Sequence, residues 1–64
     1  MNLIFFRDVE GNMIAINPEY VTFVETDIFD GKDVTMIYFT NYKMTVTETF
    51  DKVITALNGW RKKS

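Results

Sequence analysis

The side chains that most often carry catalysis are nearly missing from this chain of 64 residues, which has no His, no Cys and a single Ser, Ser64. A nucleophile and base of the Ser/His or Cys/His kind cannot be assembled from these residue types. The commonest nitrogen and sulfur ligands of metal ions are missing as well. The composition therefore predicts a protein that is not an enzyme and that holds no metal and no cofactor.

Carboxylates are the remaining groups that could do chemistry. Glu25 and Asp27 stand two positions apart in a predicted strand, so both project to one face and could act as an acid and a base. A pair of acids near the end of a strand more commonly forms a solvated edge that discourages aggregation. Asp27, Asp30 and Asp33 surround Gly31, but their spacing is wrong for a calcium loop and right for a turn. We interpret both groups as structural.

Basic residues are too few on the predicted strands to favour nucleic acid. The segment 61–63 (RKK) could touch phosphate, but it also suits the negative end of a helix dipole. The strands themselves carry only Arg7 and Lys43, and the net charge is −2. Aromatic side chains on a sheet need a basic groove beside them to bind single strands. The sequence thus argues against nucleic-acid binding.

The overall composition is that of one small folded domain. Apolar residues make up 47% of the chain, which includes six Phe, three Tyr and one Trp. No apolar run approaches the ~20 residues that span a bilayer, and residues 1–6 lack the basic start of a signal peptide. We expect a cytoplasmic protein, of a bacterial cell or of a phage-infected host.

Alternating apolar and polar residues predict an antiparallel meander of four to five strands. Turns are indicated at Gly11, at Asn17-Pro18, at Asp30-Gly31 and at Asn41-Tyr42. The predicted strands cover about residues 2–8, 13–16, 20–28, 34–40 and 43–47. On the third strand, strict alternation places Val21 on the same face as Phe23.

The period then changes from two to 3.6, which predicts an amphipathic helix over about residues 49–58. Its apolar stripe recurs at i, i+3, i+4 and i+7 and consists of Phe50, Val53, Ile54 and Leu57. Thr47 or Thr49 can cap the start of the helix, and Gly59 is a candidate for the C′ residue that ends it. The chain is predicted to fold as a single α+β domain over residues 1–64, with this helix packed on one sheet face.

One helix covers only one face of such a sheet, yet the strands carry apolar side chains on both faces. An uncovered apolar face is rare on a monomer, so we expect a second copy of the chain to cover it. A strongly curled sheet that buries both sets is the alternative. Candidate interface residues are Phe5, Phe23, Met36, Tyr38, Tyr42 and Trp60. Because both faces are apolar, the pattern leaves open which one the helix covers.

The order of strands, turns and helix resembles the small flagellar FlbD (swarming-motility) family. The stretches that carry the resemblance are 8–11 (DVEG), 16–21 (INPEYV), 24–26 (VET) and 46–54 (VTETFDKVI). The resemblance covers nearly the whole chain and implies a regulatory protein without catalytic residues.

Two functions follow as hypotheses. The first is a small non-catalytic regulatory or accessory module that acts as a homo-oligomer and docks on a protein partner. The alternative is a phage-encoded inhibitor or a small-molecule (nucleotide) sponge that binds its ligand at subunit interfaces, where pockets often form.

Overall fold

The computed structural model describes residues 2–63, with side chains described for residues 2–59. Within them the chain forms five strands, one short 3-10 helix at Pro18–Tyr20 and one α-helix. The elements in chain order are β1 (Ile4–Arg7), β2 (Met13–Ile16), β3 (Val21–Phe29), β4 (Lys32–Phe39), β5 (Lys43–Val46) and α1 (Phe50–Lys63). The α+β class and the antiparallel strand order predicted from the sequence are confirmed.

The strands form two antiparallel sheets, a hairpin of β1 and β2 and a three-stranded sheet in the order β3-β4-β5. One isolated bridge between Asp8 and Val46 joins them. Beside that bridge, the Thr47 amide donates to the Arg7 carbonyl over 2.9 Å. The end of the first strand therefore lies next to the end of the last, and the meander curls back on itself.

The tight connection between β3 and β4 is the two-residue turn that the Asp-Gly pair predicted. Asp30 and Gly31 both have positive φ, of 54° and 76°. This is the backbone geometry that suits the twist of a two-residue hairpin. The ladder consequently runs up to the pair Phe29 and Lys32, directly at the turn.

A β-bulge near the start of β3 makes one sequence prediction wrong. Val21 pairs with Phe39 and Phe23 pairs with Tyr38, so Thr22 is an extra residue in the ladder. Beyond such a residue the alternation of faces is inverted. Val21 therefore packs half-buried against the core, on the same side as Val24, and not on the side of Phe23.

The core lies between the inner sides of both sheets and the helix. It is built around Phe6, Ile16, Ile37, Val46 and Val53. Buried among the strands is also a polar residue, Thr35, whose hydroxyl donates to the Glu48 carbonyl over 2.8 Å. That bond ties the centre of the sheet to the segment that leads into α1.

Of the two threonines proposed as a helix cap, Thr49 takes that place. Its carbonyl accepts from the Val53 amide at 3.0 Å, and its hydroxyl accepts from the Lys52 amide at 3.5 Å. Thr47 instead bonds to the carbonyl of Arg7, through its amide and its hydroxyl.

The helix is longer than its sequence pattern indicated. Gly59 is not the C′ residue, because α1 continues through it to Lys63. Arg and Lys are good helix formers, and they carry the helix past the weak position. On the buried stripe, Val53 is fully buried and Leu57 packs against the core, joined by Ala56, while Phe50 and Ile54 are half-buried.

Candidate functional site

The helix covers the sheet face that carries Val24, Ile37 and Met44, all of which pack in the core. The opposite face of the three-stranded sheet is thereby left without the helix. Its side chains follow the strand register in two rows across β3, β4 and β5. We call this surface the outer face; it consists of Phe23, Glu25, Met36, Tyr38, Lys43 and Thr45.

An aromatic stack forms the centre of the outer face. The rings of Phe23 and Tyr38 lie 4.1 Å apart between centroids and 11° from parallel. Directly opposed residues of adjacent strands bring their side chains together, and the register that runs from the Asp30-Gly31 turn sets Phe23 opposite Tyr38. Phe23 remains 53% exposed, and Met36 in the next row is half-buried. The centre of the outer face is therefore apolar and only partly buried.

Charged groups flank the stack on both sides. The Tyr38 hydroxyl donates to Glu25 Oε1 over 2.5 Å on the β3 side. On the β5 side, Lys43 Nζ lies 5.8 Å from the centroid of the Tyr38 ring, within range of a cation–π contact. The hydrogen bond to Glu25, with smaller contributions from burial and from the charges of Glu25 and Asp27, raises the pKa of Tyr38 above its ordinary 10.0.

Two acidic residues of β3, Glu25 on the outer face and Asp27 beside it, each accept a hydrogen bond within the structure. Glu25 accepts from Tyr38, and Asp27 accepts from the amide of Ile28 over 2.8 Å. Among the residues that the structure describes, no group of three acidic side chains is placed to hold a metal ion. The outer face thus has an aromatic stack at its centre and one charged side chain of each sign beside the stack.

The predicted interface residues do not all lie together. Phe23, Met36 and Tyr38 share the outer face, whereas Phe5 is on the outer side of the β1–β2 hairpin, opposite Ala15. Tyr42 stacks on Phe39 at the β4–β5 turn, with centroids 5.0 Å apart. The side chain of Trp60 is outside the described residues. Further large apolar side chains that are exposed, and that the sequence analysis did not name, are Leu3, Met13, Tyr20, Ile28 and Phe29.

A second surface feature is a groove of about 400 Å³ between the 3-10 helix and the β4–β5 turn. The groove brings Tyr20 and Tyr42 to the same place from separate turns. Its lining consists of Ala15, Ile16, Asn17, Tyr20, Phe39, Thr40, Asn41 and Tyr42. Sequence analysis missed Tyr20, because it placed that residue in a strand. The preceding Asn-Pro pair was the available signal, since Asn17 caps the 3-10 helix that presents Tyr20.

No protein-family model, no curated protein and no solved structure matches this chain. The resemblance to the FlbD family accordingly stays a prediction. Within residues 2–63, no helix combines the length and the apolar character needed to cross a membrane.

Proposed function

We propose that this protein is a small non-catalytic binding module that self-associates through its outer face and docks on a protein partner as an oligomer. The observation that carries the proposal is the stack of Phe23 on Tyr38, which sits on a sheet face that the helix leaves free. Aromatic residues and Met are enriched in protein interfaces, and Tyr is among the residue types that most often supply a large share of the binding energy.

A second copy of the chain suits this surface because its charges are self-complementary. Glu25 lies on β3 and Lys43 on β5, on either side of the central strand. A two-fold axis that runs parallel to β4, between two stacked sheets, sets β3 of one protomer over β5 of its partner. Each carboxylate then lies near the partner's lysine, and each Phe23 ring faces that lysine. An axis perpendicular to the strands would bring like charges together, which is unfavourable.

The small size of the chain is a thermodynamic reason for the proposed self-association. The chain has no Cys, so no disulfide can compensate for the limited core of a domain of 64 residues. Packing two sheets about 10 Å apart extends that core across the interface. An oligomer also presents two copies of any further binding site, which increases avidity for a partner.

The test is the mass of Tyr38→Lys in solution. Light scattering coupled to size exclusion, over a dilution series, is expected to give a mass above 7.5 kDa for the wild type and a monomer for the variant. If the variant formed the oligomer, the added charge would have to be buried at the centre of the interface. Circular dichroism should show that the variant keeps its helix, since Tyr38 points away from α1.

Tyr20→Lys is the matched control. Tyr20 is 66% exposed and lies outside the outer face, so its replacement introduces the same charge without touching the proposed interface. We expect Tyr20→Lys to keep the mass of the wild type. A wild type that is monomeric throughout the dilution series, or a Tyr38→Lys variant of unchanged mass, would refute self-association through the outer face.

A further inference from the structure

The groove between the 3-10 helix and the β4–β5 turn has aromatic walls on both sides. Tyr20 ends the 3-10 helix on one side, and Tyr42 stacks against Phe39 on the other. Because Phe39 and Tyr38 are consecutive on β4, the groove opens on the side of the sheet away from the Phe23–Tyr38 stack. Binding in the groove is therefore independent of the proposed self-association.

The groove is open and carries no charge among its lining residues. Tyr20 and Tyr42 are themselves 66% and 59% exposed, so they contact one side of a ligand and cannot enclose it. Small-molecule sites usually bury more than about 70% of their ligand. The lining also contains no cationic side chain that could bind a phosphate group, which argues against a nucleotide as the ligand. An extended peptide, laid across the two rings, fits these properties better.

Hydrogen-bond donors stand beside the rings. Asn17 uses its Oδ1 to accept from the Glu19 amide over 3.0 Å, which leaves its amino group to donate. Asn41, Thr40 and the two tyrosine hydroxyls add further donors. A polyproline II helix has no internal hydrogen bonds, so its carbonyls are free to accept from such groups, and proline rings pack well on aromatic side chains.

We propose that this groove binds a proline-rich segment of another protein in the polyproline II conformation. No proline-rich segment lies within these 64 residues, because their single proline, Pro18, is buried as the first residue of the 3-10 helix. Glu19 is exposed on the same turn as Tyr20 and is the acidic residue next to the groove in sequence. It favours a basic residue that flanks the prolines.

The experiment is fluorescence anisotropy of a labelled peptide of proline repeats that carries an arginine at each end. We expect saturable binding to the wild type, and a loss of affinity of about tenfold or more in Tyr20→Ala and in Tyr42→Ala. Circular dichroism shows whether each variant is folded. If one of them misfolds, the variant on the opposite wall still tests the groove. Glu19→Gln is expected to weaken the binding of this peptide. The same variant should leave unchanged the binding of a peptide that ends in uncharged residues.

Ile28→Ala is the matched control and should bind the peptide like the wild type, because Ile28 is 68% exposed and belongs neither to the groove nor to the outer face. The proposal is wrong if the wild type shows no saturable binding, or if a peptide with alanine in place of proline binds equally well. It is also wrong if adenosine displaces the peptide, since the groove would then be a site for a flat neutral ring. Loss of binding in Phe23→Ala alone would place the peptide on the outer face and overturn the groove.

Discussion

The hydroxyl of Tyr38 joins the apolar and the polar parts of the outer face. Its ring packs on Phe23 while its proton is donated to Glu25, so a stacking contact and a charge-assisted hydrogen bond both hold the side chain. The backbone carbonyl of Tyr38 also accepts from the hydroxyl of Thr22, the extra residue of the bulge. A side chain that such contacts already hold loses little further freedom when a partner binds, which favours association.

At this scale we predict that Glu25→Ala lowers the pKa of Tyr38 toward 10.0, because the hydrogen bond to Glu25 is the main cause of the raised value. The measurement is tyrosinate absorbance in an alkaline titration of the dilute protein, with Tyr38→Phe used to assign the signal by difference. Asp27→Ala is the control and should have a smaller effect, because its charge contributes least. An equal or larger effect of Asp27→Ala would contradict this order of causes.

The sign of the accompanying stability change follows from linkage. A group whose pKa is raised in the folded state binds its proton more tightly there than in the unfolded chain. The Tyr38–Glu25 bond therefore stabilises the fold in full below pH 10.0, and its contribution is lost as the pH rises through the raised value. The urea midpoint of the wild type should accordingly fall over that alkaline range by more than the midpoint of Glu25→Ala.

At the scale of elements, α1 contains a glycine, Gly59, which is a residue of low helix propensity. Gly59 lies inside α1 without a positive φ, and a Cβ added there would meet no atom within 4 Å. Glycine in a helix interior costs roughly 0.5–1 kcal/mol relative to alanine, chiefly through its freedom in the unfolded chain. With glycine at position 59, this part of α1 is therefore less stable than it would be with alanine there.

We predict that Gly59→Ala stabilises the domain by about 0.5–1 kcal/mol. Thermal and urea unfolding monitored by circular dichroism would measure this as an upward shift of both midpoints. Gly31→Ala is the matched control; at φ 76° it should destabilise, because a Cβ is unfavourable in the left-handed region. A destabilising Gly59→Ala would instead mean that Gly59 ends the helix, as the sequence pattern first indicated.

At the scale of the whole molecule, the orientation of the proposed oligomer depends on the two opposite charges of the outer face. Glu25 and Lys43 lie on strands that flank β4, so a two-fold axis parallel to β4 pairs each with its opposite on the second copy. The apolar stack would supply the affinity, and the charges would select the orientation.

We predict that Glu25→Lys and Lys43→Glu each weaken the oligomer, because each places like charges face to face. The double variant restores opposite charges and should regain part of the lost association. Sedimentation velocity at matched concentrations measures all four proteins, with the expected order wild type, double variant, then both single variants. Since Glu25→Lys also removes the bond to Tyr38, the recovery is expected to be partial. A double variant that is no better than either single one would refute the proposed axis.

Much of this architecture was accessible from residue patterns. The change from alternation to a 3.6 period marked where the sheet ends and the helix begins, and Val53 and Leu57 pack as that pattern predicted. The Asp30-Gly31 turn was predictable because few residue pairs accept two positive φ angles. Each of these features depends on interactions between residues that are close in sequence.

The sequence by itself therefore determined the α+β class, the order of the strands and the α-helix, and the absence of a Ser/His or Cys/His pair. Only the tertiary structure decided which sheet face stays uncovered, because both faces are apolar and the choice depends on how the helix docks. It also decided that Val21 packs against the core and not on the side of Phe23, through a bulge that strict alternation could not reveal. Tyr20 and Tyr42 meet across one groove for the same reason: contacts between residues distant in sequence form only once the sheet has curled and the helix has packed.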